Sequence, residues 1–391
     1  MANYGERPFE FKVPDTIHVG IGCHERVAAE AARIGGGNVL VITDRNVCAT
    51  PTAGKVIEQL SSAGLLRGVF SDIPFEPTTT EVEKGLAALQ EAKADTIVAI
   101  GGGSVIDTAK AVAVLVTNGG AIVDYKGVNK VKKPKLPLVA VSTTAGTGSE
   151  VTRYTIITDP VTSVKMVIID PHLIPEVAID DPLFTVTCSP LVSASTGVDA
   201  LTHAIEAYVS VRSNTLTDLL ALSAIRRIAP SIRAAFRNGE DLPARTMMHV
   251  AALEAGIAFS NSSVALVHGM ARPIGAYFQK PHGISNSALL PYVMEWSLAG
   301  TLERYAEIAR ALGVDITGLS EMEAAQRAVA EVRAICRDLQ IPGLTGLGID
   351  PEKLMALAPT MARDGLDSGS PANNPRVPTA EEIVELYRQA L

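Results

Sequence analysis

Between about residue 8 and residue 183, short β-branched runs alternate with longer stretches whose apolar positions recur at helical spacing. Asn38–Thr43 reads as a buried strand, Ala53–Ala63 as a helix and Gly68–Phe70 as a short strand. Thr80–Lys93 reads as a helix, Asp95–Ile100 as a further strand, and Leu136–Val141 as the strand after the next helix. Such alternation predicts an α/β unit built on a parallel sheet covered on both faces, with ligands at the carboxyl ends of the strands. After Asp180-Asp181-Pro182 the strand-type runs fade. Ala, Leu and Ile then recur at helical spacing over Asn214–Ala229, Ala244–Phe259, Thr301–Leu312, Met322–Leu339, Pro351–Arg363 and Thr379–Leu391. The pattern therefore predicts two domains, α/β over residues 1–183 and all-helical over residues 184–391.

Three strand ends carry candidate chemistry. After Ile100 come Gly101, Gly102, Gly103 and Ser104, then Asp107 and Lys110. Glycines leaving a strand let a backbone approach a diphosphate, and Ser104 is placed to cap the helix that follows; tight packing alone is the other reading. The hydroxyls of Thr143, Thr144 and Thr147 follow the next strand and suit sugar or phosphate recognition, or form an ordinary polar loop. Asp44 follows the first strong strand, where a carboxylate accepts from an adenosine ribose and repels a 2′-phosphate, or serves as a helix N-cap.

The helical half holds a second constellation. Asp199 and His203 are four residues apart in an alanine-rich helical pattern, which places both on one face. His268 and His282 each precede a glycine, where a neighbouring backbone can come close. One carboxylate and three imidazoles suit a borderline divalent ion such as Fe(II) or Zn(II); separate core histidines are the alternative. The chain has seven histidines, and three fall in this set, which favours the joint reading.

Composition narrows the class. A length of 391 residues, 47% hydrophobic and 19% charged, fills two cores. The net charge of −8 argues against nucleic acid and anionic membranes, and Lys130–Lys135 reads as a solvated loop. Cys23, Cys48, Cys188 and Cys336 are scattered without CxxC spacing, so free thiols and a reducing, cytoplasmic compartment are expected. Neither a signal-peptide h-region nor a membrane-length apolar run is present.

The wording of these segments resembles a known family. Gly197–Tyr208 (GVDALTHAIEAY), Leu266–Ala271 (LVHGMA), Pro281–Gly283 (PHG) and the GGGSxxDxxK turn resemble the iron-containing (group III) alcohol dehydrogenases. The resemblance covers about residues 10 to 390 and implies a dehydroquinate synthase-like fold. In it a nucleotide-binding domain packs on a helical one, with metal and nicotinamide meeting in the cleft. It implies metal on Asp199, His203, His268 and His282, and NAD contacts from Asp44, Gly101, Gly102, Gly103, Ser104, Asp107, Thr143, Thr144, Thr147 and Lys165. It also implies reversible hydride transfer between a small alcohol or diol and NAD, and a homodimer or higher homo-oligomer.

Two positions depart from the family. Glu76 stands where many relatives carry an asparagine near the cofactor ribose. Arg272 stands where many carry a histidine assigned to proton relay or substrate contact, and an arginine cannot serve as a base. Arg272 either selects an anionic aldehyde bearing a carboxylate or sulfonate, or pairs with an acidic neighbour or a cofactor phosphate. A dehydroquinate synthase-like lyase is the rival class, but the helical half lacks the basic cluster that a phosphorylated sugar requires.

Overall fold

The computed structural model describes residues 8–35, 37–161 and 164–391. Met1–Arg7, where a leader would stand, and Gly36, just before the first strong strand, lie outside the described residues. Two compact units are present, one of residues 12–188 and one of residues 8–11 with 189–391. The boundary falls after Cys188 rather than at residue 183, for a physical reason. The short 3-10 turn Pro182–Phe184 folds back into the α/β core, where the Phe184 ring lies edge-on to buried His24. Ser189 then starts the helical unit as an N-cap, accepting from Val192 N at 3.3 Å.

The α/β unit contains β1 (Thr16–Val19), β2 (Val39–Thr43), β3 (Leu66–Phe70), β4 (Thr96–Gly101), β5 (Gly127–Val128), β6 (Leu138–Ser142), β7 (Tyr154–Asp159), β8 (Val164–Ile169) and β9 (Val177–Asp180). Its helices are α1 (Val27–Arg33), α2 (Arg45–Cys48), α3 (Pro51–Ser62), α4 (Thr79–Glu91) and α5 (Gly103–Asn118). Six strands form one parallel sheet in the order β1-β9-β6-β4-β2-β3. Strands β2, β4, β6 and β9 are buried along their whole length, as apolar strands covered on both faces must be. Strands β6, β4 and β2 are neighbours, and their register pairs Thr43 with Ile100 and Gly101 with Ser142. The three chemically marked strand ends therefore lie side by side.

A second sheet, β5-β8-β7, departs from the all-parallel expectation, because β7 and β8 pair antiparallel. The link between Asp159 and Val164 is far too short for the crossover that parallel pairing requires.

The helical unit runs through α6 (Pro190–Val209), α7 (Thr215–Arg237), α8 (Leu242–Asn261), α9 (Leu266–Phe278), α10 (His282–Ser297), α11 (Leu302–Ala311), α12 (Glu321–Asp338), α13 (Pro351–Asp367) and α14 (Ala380–Gln389). Helix α6 is its axis. It packs against α7, α8 and α10 and is buried continuously from Gly197 to Val209, the signature of a helix enclosed on every side. Helix α7 continues beyond the predicted stop at Ala229 and through Pro230, carried by buried Ser231, Ile232 and Ala235 on its packed face. All four cysteines are free thiols. No single helix among the described residues is long and apolar enough to cross a membrane.

Candidate functional site

The helical unit gathers its chemistry around α6. Asp199 and His203 lie one turn apart on this helix, and Glu206 continues the same face a turn further on. His268 sits in the first turn of α9, and His282 is the first residue of α10. One ligand atom from each of Asp199, His203, His268 and His282 comes within 4.8 Å of all the others. The first three are buried and His282 is half-buried. The glycine after His282 is what permits this approach. A Cβ on Gly283 would lie 2.9 Å from Ser195 O and 3.4 Å from Asp199 Cβ, so a larger residue would hold α10 away from α6.

Inside the cluster the ring nitrogens converge. His203 Nε2 and His268 Nε2 lie 2.9 Å apart. Asn286, on the next turn of α10 from His282, donates its Nδ2 to Asp199 Oδ1 at 2.7 Å and stands 3.1 Å from the Nε2 atoms of both His268 and His282. The rings are stacked or tilted on one another: His203 lies 4.3 Å from Phe259 and 4.6 Å from His268, and His268 lies 5.2 Å from His282. Burial, with the charges of His203 and Arg272 beside it, holds the His268 pKa well below the usual histidine range. A neutral imidazole is the form a metal requires. His203 Nδ1 is buried without a hydrogen-bond partner among the described residues, and Asp199 is a carboxylate only 1% exposed. A buried carboxylate grouped with imidazole nitrogens fits a divalent cation, which supplies the missing counter-charge. The mixed N/O donor set is that of iron or zinc.

Glu206 and Asn286 are participants that the sequence reading missed. Both were within reach of helical spacing, since Glu206 is three residues beyond His203 and Asn286 four beyond His282. Glu206 accepts from Ala265 N (2.8 Å), Val267 N (2.5 Å) and His268 Nδ1 (2.6 Å). Burial pushes its pKa up to about 7, against the downward pull of those backbone donors. Arg272, one turn beyond His268, is buried and donates Nη1 to Ser370 Oγ at 2.8 Å.

In the α/β unit, Gly101 ends β4, Gly102 is the N-cap of α5, and Gly103 and Ser104 form its first turn. Ser104 is therefore not the cap expected of it. The helix starts on a glycine with no side-chain cap, and the Ser104 carbonyl accepts from Thr108 Oγ1 instead. A Cβ on Gly103 would meet the Thr147 side chain at 3.0 Å, so the glycine turn and the loop after β6 interlock. The same loop holds Thr143, whose N–H donates to Gly101 O (3.1 Å), and Thr144, whose Oγ1 is buried and has no partner among the described residues. That orphaned hydroxyl beside an uncapped helix start fits a phosphate-bearing cofactor.

Asp107 faces inward. Its oxygens accept from Ser149 Oγ (2.6 Å) and Ile156 N (2.9 Å), so it orders the loop after β6 against α5. Asp44 caps α2, its Oδ1 accepting from Asn46 N (2.9 Å) and Val47 N (3.0 Å). Lys165 forms an ion pair with Glu76 at 2.8 Å, so one departure from the family meets one of the expected cofactor contacts.

A turn suited to a nucleotide phosphate in one unit, and in the other four residues that could hold a divalent metal, are the parts of an enzyme that combines a nucleotide cofactor with a metal. The comparisons narrow it further. Residues 14–182 match the model of the iron-containing alcohol dehydrogenases, and residues 193–391 match that of the C-terminal region of the Fe-containing alcohol dehydrogenase family. The 1,3-propanediol dehydrogenase of Klebsiella pneumoniae is 38% identical over 98% of this chain and 99% of its own. The NAD-dependent methanol dehydrogenase of Bacillus methanolicus is 37% identical over 97% of this chain and 99% of its own. A crystal structure of a 1,3-propanediol oxidoreductase superposes with a TM-score of 0.95 at 37% identity, covering 98% of this chain and all of that one. The chain belongs to the iron-containing alcohol dehydrogenase family, and it is an alcohol oxidoreductase.

Proposed function

We propose that this enzyme interconverts small primary alcohols or diols and their aldehydes with NAD, in the cytoplasm and as a homo-oligomer. The observation that carries the reading is the convergence of Asp199, His203, His268 and His282 within 4.8 Å. Relatives at 37–38% identity named for methanol and 1,3-propanediol support the substrate class. When bound, the metal supplies Lewis acidity towards the substrate oxygen and the nicotinamide supplies the hydride acceptor.

The chain's own residues do the rest. The four ligands hold the ion in a centre whose buried walls, Phe259 among them, exclude water. The uncapped start of α5 at Gly102–Ser104 holds the cofactor diphosphate through backbone N–H groups, with Thr144 Oγ1 as a further donor. Asp44 takes the ribose hydroxyls and disfavours a 2′-phosphate, giving NAD over NADP. Lys165, half of an ion pair with Glu76, and the Thr143–Thr147 loop complete the cofactor side. Arg272 carries its protons throughout the working pH range, so it takes none from the substrate. Its bond to Ser370 makes it a brace for α9.

The test is NADH formation by metal-stripped protein re-supplied anaerobically with Fe(II) or Zn(II), across short primary alcohols, diols and hydroxyacids. Metal-restored turnover of alcohols or diols is the expected result. Turnover that never needed metal would remove the assignment of the four ligands. NAD binding without turnover of any substrate would overturn the substrate class.

A further inference from the structure

We infer that Glu206 is a positioning residue that sets the tautomer of His268, so that Nε2 and not Nδ1 faces the metal centre. The inference rests on the reading of Asp199, His203, His268 and His282 as metal ligands. Helix α9 begins at Leu266 after Ala265, which provides no side-chain cap. The first turn of a helix has backbone N–H groups without internal partners. Here the cap comes from another helix. Glu206 Oε2 accepts from Ala265 N and Glu206 Oε1 from Val267 N. With both oxygens anchored by backbone donors, the carboxylate cannot turn, and Oε2 also stands 2.6 Å from His268 Nδ1.

A carboxylate held by two N–H donors presents a lone pair to that nitrogen, so Nδ1 carries the ring proton. Nε2 is then left with its lone pair exposed to the cluster. The surroundings of Nε2 agree. Asn286 Nδ2, which can only donate, lies 3.1 Å from it, and a protonated Nε2 would place two donors face to face. His203 provides the contrast: its Nδ1 is buried with no partner among the described residues, and none of their side chains sets its tautomer in this way. One helix, α6, thus supplies two ligands and the group that orients a third. An outer carboxylate of this kind typically accounts for about 10- to 100-fold in metal affinity.

Glu206→Gln keeps the volume but gives up one acceptor. With its amide oxygen in the place of Oε1, keeping Val267 N, its NH₂ takes the place of Oε2, gives up the Ala265 N bond, meets His268 Nδ1 and drives the ring proton to Nε2. Two readouts besides turnover test this. The first is Zn(II) and Co(II) affinity of the stripped protein by chelator competition, with the visible Co(II) spectrum. The second is the ¹⁵N spectrum of histidine-labelled protein with His268 assigned, which reports the tautomer directly. The expected result is an Nδ1–H tautomer in the wild type, and in E206Q a reversed tautomer, an altered Co(II) spectrum and about 10- to 100-fold weaker binding. A residue that merely capped α9 would lower thermal stability and leave tautomer and spectrum unchanged, which overturns the inference. A wild type protonated at Nε2 also overturns it, whether or not the variant folds. A wild type that takes up no metal overturns the metal-centre reading along with it.

Discussion

Gly283→Ala tests how closely the metal centre depends on backbone approach. A methyl group there would stand 2.9 Å from Ser195 O, about 0.5 Å short of ordinary contact. The obstacle is a carbonyl inside α6, not the free end of a side chain, so α10 must move. Overpacking of this kind costs about 1–3 kcal/mol, and alanine recovers up to about 1 kcal/mol through better helix propensity. The stripped protein therefore loses roughly 0–3 kcal/mol, with about 2–4 °C of Tm for each kcal/mol in a unit of this size. The metal-loaded protein loses more. His282 moves with α10 while Asp199 and His203 stay on α6, and metal distances tolerate only about 0.2 Å. A tenfold weaker site removes about 1.4 kcal/mol of metal-linked stabilisation at saturating metal. The assay is thermal unfolding of stripped and Zn(II)-loaded protein, paired with chelator competition. The diagnostic quantity is the Tm rise on loading, expected to be smaller in G283A. A rise and an affinity equal to wild type would refute the argument that the Ser195 contact sets the ligand geometry.

Three further substitutions address the charges of the site. Asp199→Asn keeps Asn286 as neighbour but removes the buried charge; Zn(II) affinity should fall by about 100-fold or more while the stripped protein's Tm holds or rises, as desolvation of a carboxylate is relieved. A lower Tm in the stripped variant would count against the carboxylate being costly without metal. Asp44→Asn preserves the N-cap of α2 and removes only the charge, so the NADP-to-NAD ratio of kcat/KM should rise about tenfold with Tm unchanged. An unmoved ratio would place Asp44 away from the ribose. Arg272→His should lower stability by about 1 kcal/mol through loss of the Ser370 bond and leave the preference between neutral and anionic substrates within a factor of about two. A tenfold swing towards neutral substrates would instead make Arg272 an anion selector.

Much of this protein is determined locally and can be read along the chain. Buried strands such as Val39–Thr43 and Thr96–Gly101 announce themselves as β-branched runs, because a strand covered on both faces has no polar side. The i, i+4 pair of Asp199 and His203 places two candidate ligands on one face by helical geometry alone. What the tertiary structure decided are the relations between distant segments. Helices α9 and α10 carry Pro273 and Pro291 and begin close to glycines, so their pattern was broken in sequence although packing keeps them helical. Residues 184–188 joined the α/β unit because Phe184 found its core, a contact invisible to any local signal. The order β6-β4-β2 brought Asp44, the glycine turn and the Thr143–Thr147 loop together, and loop lengths alone do not specify strand order. The same holds for single residues. Ser104 fell in the first turn of its helix instead of at the cap, Asp107 turned inward to Ser149 and Ile156, and Glu206 found His268 across 62 positions of chain. Periodicity reports which face a residue occupies, and only the packed chain decides which partner meets that face.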